Sequence, residues 1–153
     1  MGKKNHTERT YHYRIDKEGH LWIEDTELTD LITLKFFMHR LEKLPNGDYR
    51  VMCLGEENLI EVEDVPYVVQ SIQVDPDKVQ LIFPGGYQEI LDPNTLRVGK
   101  DNILYCKVRT GEFEARFNRR PYLEITKLVE RDPDHTYHLK LGADRYIIHG
   151  VIE

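Results

Sequence analysis

Three arginines stand close together in the stretch EFEARFNRRPY: Arg116, Arg119 and Arg120. A guanidinium group binds a carboxylate or phosphate through two parallel hydrogen bonds, so such a cluster could form an anion site. Apolar and polar residues alternate in EFEARF, which places Arg116 on the strand face away from the apolar side chains. Tyr122 and Phe117 would then shape the walls. The stretch predicts ligand binding, with Arg116 as the best-supported residue.

A simpler interpretation of this arginine cluster is a solvated surface charge. Arg116 would then pair with Glu114 or a cross-strand acid, and the other two arginines would face water. Surface charge clusters are common and contribute little energy. However, a cation near the N-terminus of a helix is electrostatically unfavourable and needs compensation. Both interpretations stay open at the level of the sequence.

Asp64, in the stretch VEDVPY, is the second candidate. It alternates with Glu61 and Glu63 along a predicted strand and is therefore expected on the face towards the core or the other half of the chain. One hypothesis makes Asp64 a partner of Arg116. The alternative is that its carboxylate accepts backbone N–H groups in the turn before Pro66.

Other chemistry-bearing residues show no catalytic pattern. The histidines lack metal-ligand spacing, and His135 and His138 fall on opposite faces of a predicted strand. Cys53 and Cys106 are predicted to be buried, reduced thiols. No nucleophile elbow, phosphate-binding loop or dinucleotide fingerprint occurs in the sequence. We therefore predict no catalytic residue, no metal site and no cofactor.

The charge of the 153-residue chain is unevenly distributed. Its formal net charge is −6, which disfavours nucleic acid as the main partner without excluding it. Residues 42–96 carry 3 basic against 11 acidic side chains, whereas residues 97–131 carry 9 against 5. No apolar run approaches the length of a membrane span, so we expect no membrane association and a cytoplasmic location.

The first half, residues 1–64, is predicted to have the order strand, strand, helix, strand, strand. YHYRID and HLWIED alternate around a turn and form a hairpin, and TDLITLKFFMHRLEKL has helical spacing from Leu31 to Leu44. Thr29 is the expected N-cap of that helix. DYRVMCL and NLIEVED form the second strand pair.

The second half, residues 65–153, is predicted to begin with three strands, VPYVVQSIQV, KVQLIF and YQEIL. A hairpin of NILYCKV and EFEARF follows, then a helix over RPYLEITKLVERD, then the pair TYHLKLG and DRYIIHG. The order of the first half thus recurs, which suggests a duplicated unit in an α+β protein.

Two segments resemble a known bacterial family. IEVEDVPYVV and GEFEARFNRRPY are similar to motifs of domain-of-unknown-function family 1285, and RIDKEGHLWIED resembles its R-I-D-x-x-G and W-x-x-D pattern. The resemblance runs from about Arg14 to Ile148. Two departures are Thr26, where the family has glycine, and Arg120, which adds a residue before the proline.

The resemblance implies a duplicated α+β fold whose C-terminal half is loosely similar to pleckstrin-homology domains. It also implies a ligand-binding groove between the halves and a signalling or regulatory role, without an assigned enzymatic activity. We therefore predict a non-enzymatic protein that binds a protein segment or small anionic ligand. The alternative is a small hydrolase or transferase acting on a phosphorylated or carboxylated substrate. Edge-strand pairing could also form a homodimer.

Overall fold

The computed structural model of the protein describes residues 10–150, which divide into two compact units. The first unit contains the described residues up to Asp64 together with Pro84–Tyr87. The second contains Val65–Phe83 and the described residues from Gln88 onward. Strands predominate, and the α-helices are α1 (Leu31–Arg40) and α2 (Arg119–Ile125). The predicted α+β class is confirmed.

Six strands form the sheet of the first unit: β1 (Thr10–Ile15), β2 (Leu21–Ile23), β3 (Thr26–Leu28), β4 (Glu42–Lys43), β5 (Tyr49–Cys53) and β6 (Glu56–Val62). Their order across the sheet is β3-β2-β1-β6-β5-β4. Strands β1 and β6 run parallel, and the other neighbouring pairs are antiparallel. The predicted pairs β1–β2 and β5–β6 are confirmed, whereas the short edge strands β3 and β4 were not predicted.

Helix α1 packs on one face of this sheet. Its buried residues are Phe37 and Met38, and the ring of Phe37 meets that of Tyr13 edge-on, 5.1 Å between centroids. The strands contribute buried aliphatic side chains to the same core, among them Val51 and Ile60. Each fully buried side chain of this size contributes about 1.5–3 kcal/mol, so burial of this face accounts for the placement of the helix.

The ends of α1 differ from the prediction. The N-cap is Asp30 rather than Thr29, because the Asp30 carboxylate accepts hydrogen bonds from the backbone N–H and hydroxyl of Thr33. These bonds lower the pKa of Asp30. The helix stops at Arg40, so Leu44 lies beyond it, and Leu31 is 67% exposed. Within the helix, only the central residues of the predicted apolar stripe, Phe37 and Met38, are buried.

The segment Pro84–Gly86 packs closely against α1. Gly85 has φ +75°, and a Cβ atom there would lie 2.3 Å from the backbone nitrogen of Lys35. Glycine is therefore the residue that both the backbone conformation and the contact require. This turn belongs to the first unit, although the strands on either side of it belong to the second.

The second unit contains three sheets. The five-stranded sheet has the order β17-β11-β12-β13-β7, and the two three-stranded sheets have the orders β10-β9-β8 and β14-β15-β16. The strands are β7 (Tyr67–Val69), β8 (Ser71–Val74), β9 (Val79–Ile82), β10 (Gln88–Ile90), β11 (Arg97–Val98), β12 (Leu104–Val108), β13 (Phe113–Phe117), β14 (Val129–Arg131), β15 (Tyr137–Leu141), β16 (Asp144–Ile147) and β17 (His149–Gly150).

Two predictions for this unit were wrong in detail. VPYVVQSIQV forms two strands rather than one: β7 pairs with β13, and β8 pairs with β9 in another sheet. Helix α2 ends at Ile125 and continues as a short 3-10 turn, Thr126–Leu128, so Val129 begins a strand instead of completing the helix. The hairpin β12–β13 and the pair β15–β16 lie in different sheets, unlike their predicted counterparts in the first unit.

The core of the second unit confirms the predicted alternation in EFEARF. Phe113, Ala115 and Phe117 are buried, and Glu114 and Arg116 lie on the other face of β13. Cys106 is buried, and its burial raises the pKa of the thiol. In the first unit, by contrast, Cys53 is half-buried, so the prediction of two buried thiols holds for one of them.

Candidate functional site

Arg116 lies within the five-stranded sheet, half-buried and paired in register with Tyr105 on β12 and Val68 on β7. The same face carries a polar cluster. Arg97 donates from Nη2 to the Glu114 carboxylate at 2.9 Å, and its guanidinium stacks on the Tyr105 ring with 4.4 Å to the centroid. Glu114, which we considered as a partner for Arg116, therefore binds Arg97.

The other predicted site residues point in different directions. Phe117 faces the core, 3% exposed. Arg119 and Arg120 are exposed in the first turn of α2, where they border a shallow surface depression with Leu123, Glu124 and Lys127. Phe117 and Arg116, on opposite faces of β13, cannot line one site together. The structure therefore does not gather these residues into one enclosed anion site.

Asp64 belongs to the first unit and is exposed just after β6, rather than directed into the core. The next residues of its motif have a different role. Val65, Pro66 and Tyr67 are buried in the second unit. The pairing of Asp64 with Arg116 stays a prediction.

Tyr122 lines a cavity of about 410 Å³ within the second unit. The floor of this cavity is apolar, because Leu104 and Ile148 are buried there. Val98 pairs with Leu104 across β11 and β12 and so shares this face. The remaining lining residues are half-buried or exposed: Asn102, Thr126, Val129, Arg131 and Tyr137. We call this the tyrosine cavity.

Arg131 places a positive charge at the edge of the tyrosine cavity. Residues Arg131 and Tyr137 are directly opposite in the β14–β15 pair, so both side chains leave the same face of that sheet. Arg131 is exposed, and its guanidinium contacts Nδ1 of His135. Asn102 is exposed in the connection between β11 and β12. An apolar floor with polar groups at its rim suits a ligand that has one apolar and one charged end.

A pair formed by a buried tyrosine and a half-buried arginine was also not predicted from the sequence. Arg109 donates from Nη1 to the hydroxyl of Tyr67 at 3.0 Å, and its guanidinium stacks on Phe113. Burial, partly opposed by Arg109, raises the pKa of Tyr67 to about 12. The Glu89 carboxylate accepts the backbone N–H of Arg109. The pair joins β7 to the residue that follows β12, so Tyr67 has a packing role in the core.

In the first unit, residues of the family-like pattern R-I-D-x-x-G and W-x-x-D hold a turn together. Asp16 accepts hydrogen bonds from the indole of Trp22 and from the backbone N–H groups of Glu18 and His20. Partial burial opposes ionisation of Asp16, but these bonds outweigh it and lower its pKa. His20 in turn contacts Glu27 at 2.8 Å, which raises the pKa of His20. The contacts of this motif stabilise the turn between β1 and β2.

Acid–histidine pairs are the nearest approach to a catalytic arrangement. Nδ1 of His138 lies 2.8 Å from Asp132, which also accepts from Arg145. His138 leaves the sheet on the face opposite to Arg131 and Tyr137, so the pair points away from the tyrosine cavity. Among residues 10–150, no group of three or more His, Cys, Asp or Glu side chains could hold a metal ion. His6 lies outside the described residues.

Within the described part of the chain, neither helix has the length and apolar character that crossing a bilayer requires. No protein-family model and no curated protein matches the sequence.

Two solved structures are similar in fold. One is a DUF1285 family protein from Silicibacter pomeroyi DSS-3, with a TM-score of 0.73 and 18% identity over 94% of this chain and 83% of that chain. The other is a DUF1285 family protein from Shewanella baltica OS155, with a TM-score of 0.62 and 17% identity over 75% of this chain and 90% of that chain. The chain therefore has a DUF1285-like fold.

Proposed function

We propose that the protein is a non-enzymatic binding protein that takes a small amphipathic acid into the tyrosine cavity of its second unit. The single observation that carries this proposal is the combination of a buried apolar floor with a guanidinium at the rim. The volume of about 410 Å³ lies in the range of small-molecule sites, roughly 300–1,000 Å³.

The lining residues suggest how such a ligand would lie. Its apolar part would contact Leu104, Ile148 and Val98. Displacement of water from these apolar side chains favours binding. Its carboxylate would meet Arg131 and the Asn102 amide, and the hydroxyls of Tyr122 or Tyr137 could complete the hydrogen bonds. A charge-assisted hydrogen bond is roughly twice as strong as a neutral one, so the acid should bind better than the matching alcohol.

The test is a calorimetric titration of the whole chain with octanoate and with octan-1-ol. We expect octanoate to bind more tightly, Arg131→Gln to weaken octanoate about five- to tenfold, and the alcohol to be unaffected by that change. Arg120→Gln is the matched control, because Arg120 is an exposed arginine of the same unit. Filling the cavity with Val98→Phe should weaken both probes.

The outcome against the proposal is also clear. If neither probe binds, or if Arg120→Gln weakens octanoate as much as Arg131→Gln does, the tyrosine cavity is not the site. A regulatory role in signalling, through an anionic or protein ligand held by Arg116, Arg119 and Asp64 in a cleft between the halves, stays a separate prediction.

Further expectations accompany the proposal. A duplication of a ββαββ unit is supported by the repeated element order alone, and the pleckstrin-homology likeness of the C-terminal half rests on the family resemblance. A cytoplasmic location, a homodimer and nucleic acid as a less favoured partner are predictions from composition and pattern. The hydrolase or transferase alternative would need a nucleophile or an acid–base pair near the arginines, such as Asp64 with a histidine. The pair Asp132–His138 faces away from the tyrosine cavity.

A further inference from the structure

The six-stranded sheet of the first unit has one face that α1 does not cover. Side chains in register across three strands lie on it: Trp22 on β2, Arg14 on β1 and Glu61 on β6. In the next row His12 is opposite Leu59. All five are half-buried or exposed. We call this the open face.

The open face has a concave part lined by apolar and charged residues. The concavity measures about 420 Å³, and Trp22 and Leu59 are among the apolar residues that line it. The acids Glu24, Asp48 and Glu61 also line it. Trp22 is held in position by its hydrogen bond to Asp16 at 2.9 Å, so an aromatic anchor is already oriented there.

The charges of this face are unbalanced. Arg14 lies 3.6 Å from Glu63, and Arg50 contacts both Glu42 and Glu57, at 2.8 and 3.1 Å. These cations are therefore compensated by acids of their own. By contrast, the three acids that line the concavity have no ion-pair partner in the described range 10–150: Glu24, Asp48 and Glu61.

We propose that the open face binds a basic protein segment that carries apolar side chains. The surplus acids would pair with Lys or Arg of the partner, and Trp22 and Leu59 would contact its apolar groups. The guanidinium of Arg14 lies 5.6 Å from the centroid of the Trp22 ring, so Arg14 already makes the cation–π contact and the partner would meet the remaining apolar surface of the ring. The partner is opposite in charge to the ligand of the tyrosine cavity, so each proposal is tested with its own probe.

Trp22 makes this surface directly measurable, because it is the chain's single tryptophan. An eight-residue peptide of alternating Arg and Leu is titrated into the whole chain while the emission of Trp22 is followed, at two salt concentrations. A peptide with Glu in place of Arg is the probe control. The variant Glu24→Gln/Glu61→Gln removes two of the unpaired acids, and Glu112→Gln/Glu124→Gln removes two exposed acids of the second unit.

We expect the Arg–Leu peptide to change Trp22 emission and to bind about tenfold more weakly to the Glu24→Gln/Glu61→Gln variant. The Glu112→Gln/Glu124→Gln variant should bind within about twofold of the parent, and added salt should weaken the interaction. All substituted residues are exposed, so unchanged thermal midpoints would confirm that both variants fold.

Three results would overturn the inference. The first is an equal loss of affinity in both variants, which would mean attraction to net charge alone. The second is binding without a change in Trp22 emission. The third is self-association of the chain that Glu24→Gln/Glu61→Gln abolishes, since a second copy would then be the occupant.

Discussion

The two units handle exposed polar side chains in different ways. The first unit has one sheet with a single face covered by α1, so polar side chains spread over an open surface. The second unit divides its strands among three smaller sheets, and two of these sheets and α2 surround a cavity with an apolar floor. The first arrangement suits an extended, charge-dominated partner, and the second suits a ligand selected by size.

Residues of the family-like motifs make structural contacts in both units, although of different kinds. In the first unit, Asp16 and Trp22 organise a turn through hydrogen bonds. In the second, Tyr67 packs edge-on against Phe83 and Phe113, with ring centroids 5.5 and 5.6 Å apart. The same motifs also supply residues to the proposed binding surfaces, Tyr122 in the tyrosine cavity and Trp22 on the open face, so they contribute to the fold and to the candidate sites together.

The largest expected effect is on the integrity of the first unit. Gly85→Ala should lower the free energy of unfolding by at least about 3 kcal/mol, because a Cβ would meet the α1 backbone at 2.3 Å and φ is +75°. Gly86→Ala is the matched control: its φ is +82° but nothing lies within 4 Å of the added carbon, so about 1 kcal/mol is expected. Urea unfolding measures both.

Equal losses for the two glycine variants would contradict this assignment. They would mean that backbone conformation alone, and not the contact with Lys35 and Leu31, sets the cost.

A smaller effect is expected in the core of the second unit. Tyr67→Phe removes the hydroxyl that accepts from Arg109 and should cost about 1 kcal/mol. Tyr146→Phe, at a half-buried tyrosine of β16, should change the free energy of unfolding by less than about 0.5 kcal/mol. A loss in Tyr146→Phe as large as that in Tyr67→Phe would show that the hydrogen bond adds nothing.

The smallest expected effect is the pH dependence of the first unit. Glu27 raises the folded-state pKa of His20, so this pair stabilises the protein fully below the unfolded pKa of about 6.5 and the contribution disappears as the pH rises through the folded value. His20→Gln should therefore remove part of the stability difference between pH 5.5 and 8.5, measured by urea unfolding. His12→Gln, at an exposed histidine, serves as control. A slope unchanged in His20→Gln would refute the coupling.

Local patterns accounted for the long strands and missed the short ones. The alternation in YHYRID and EFEARF extends over several residues, so β1 and β13 could be predicted. Strands β4, β11 and β17 contain two residues each, which is too few to show a period. Which strands share a sheet depends on register between distant segments, and for that reason the division of VPYVVQSIQV between two sheets was not visible.

The candidate site was predictable only in part for a related reason. Tyr122 was named because it follows the arginine cluster, and it does line a cavity. Its neighbours there, Asn102, Arg131 and Ile148, come from separate elements and meet only in the folded unit. Arg116 and Phe117, adjacent in sequence, were grouped in one site although a strand sends them to opposite faces.

The contribution of Pro84–Tyr87 to the first unit has a consequence for synthesis on the ribosome. A nascent chain that has reached Asp64 contains the sheet and α1 but lacks the segment that packs on this helix through Gly85. At typical elongation rates of about 5–20 residues per second, the wait for Tyr87 is on the order of one to five seconds. Cotranslational folding of the first unit should therefore finish only after β7, β8 and β9 of the second unit have been synthesised.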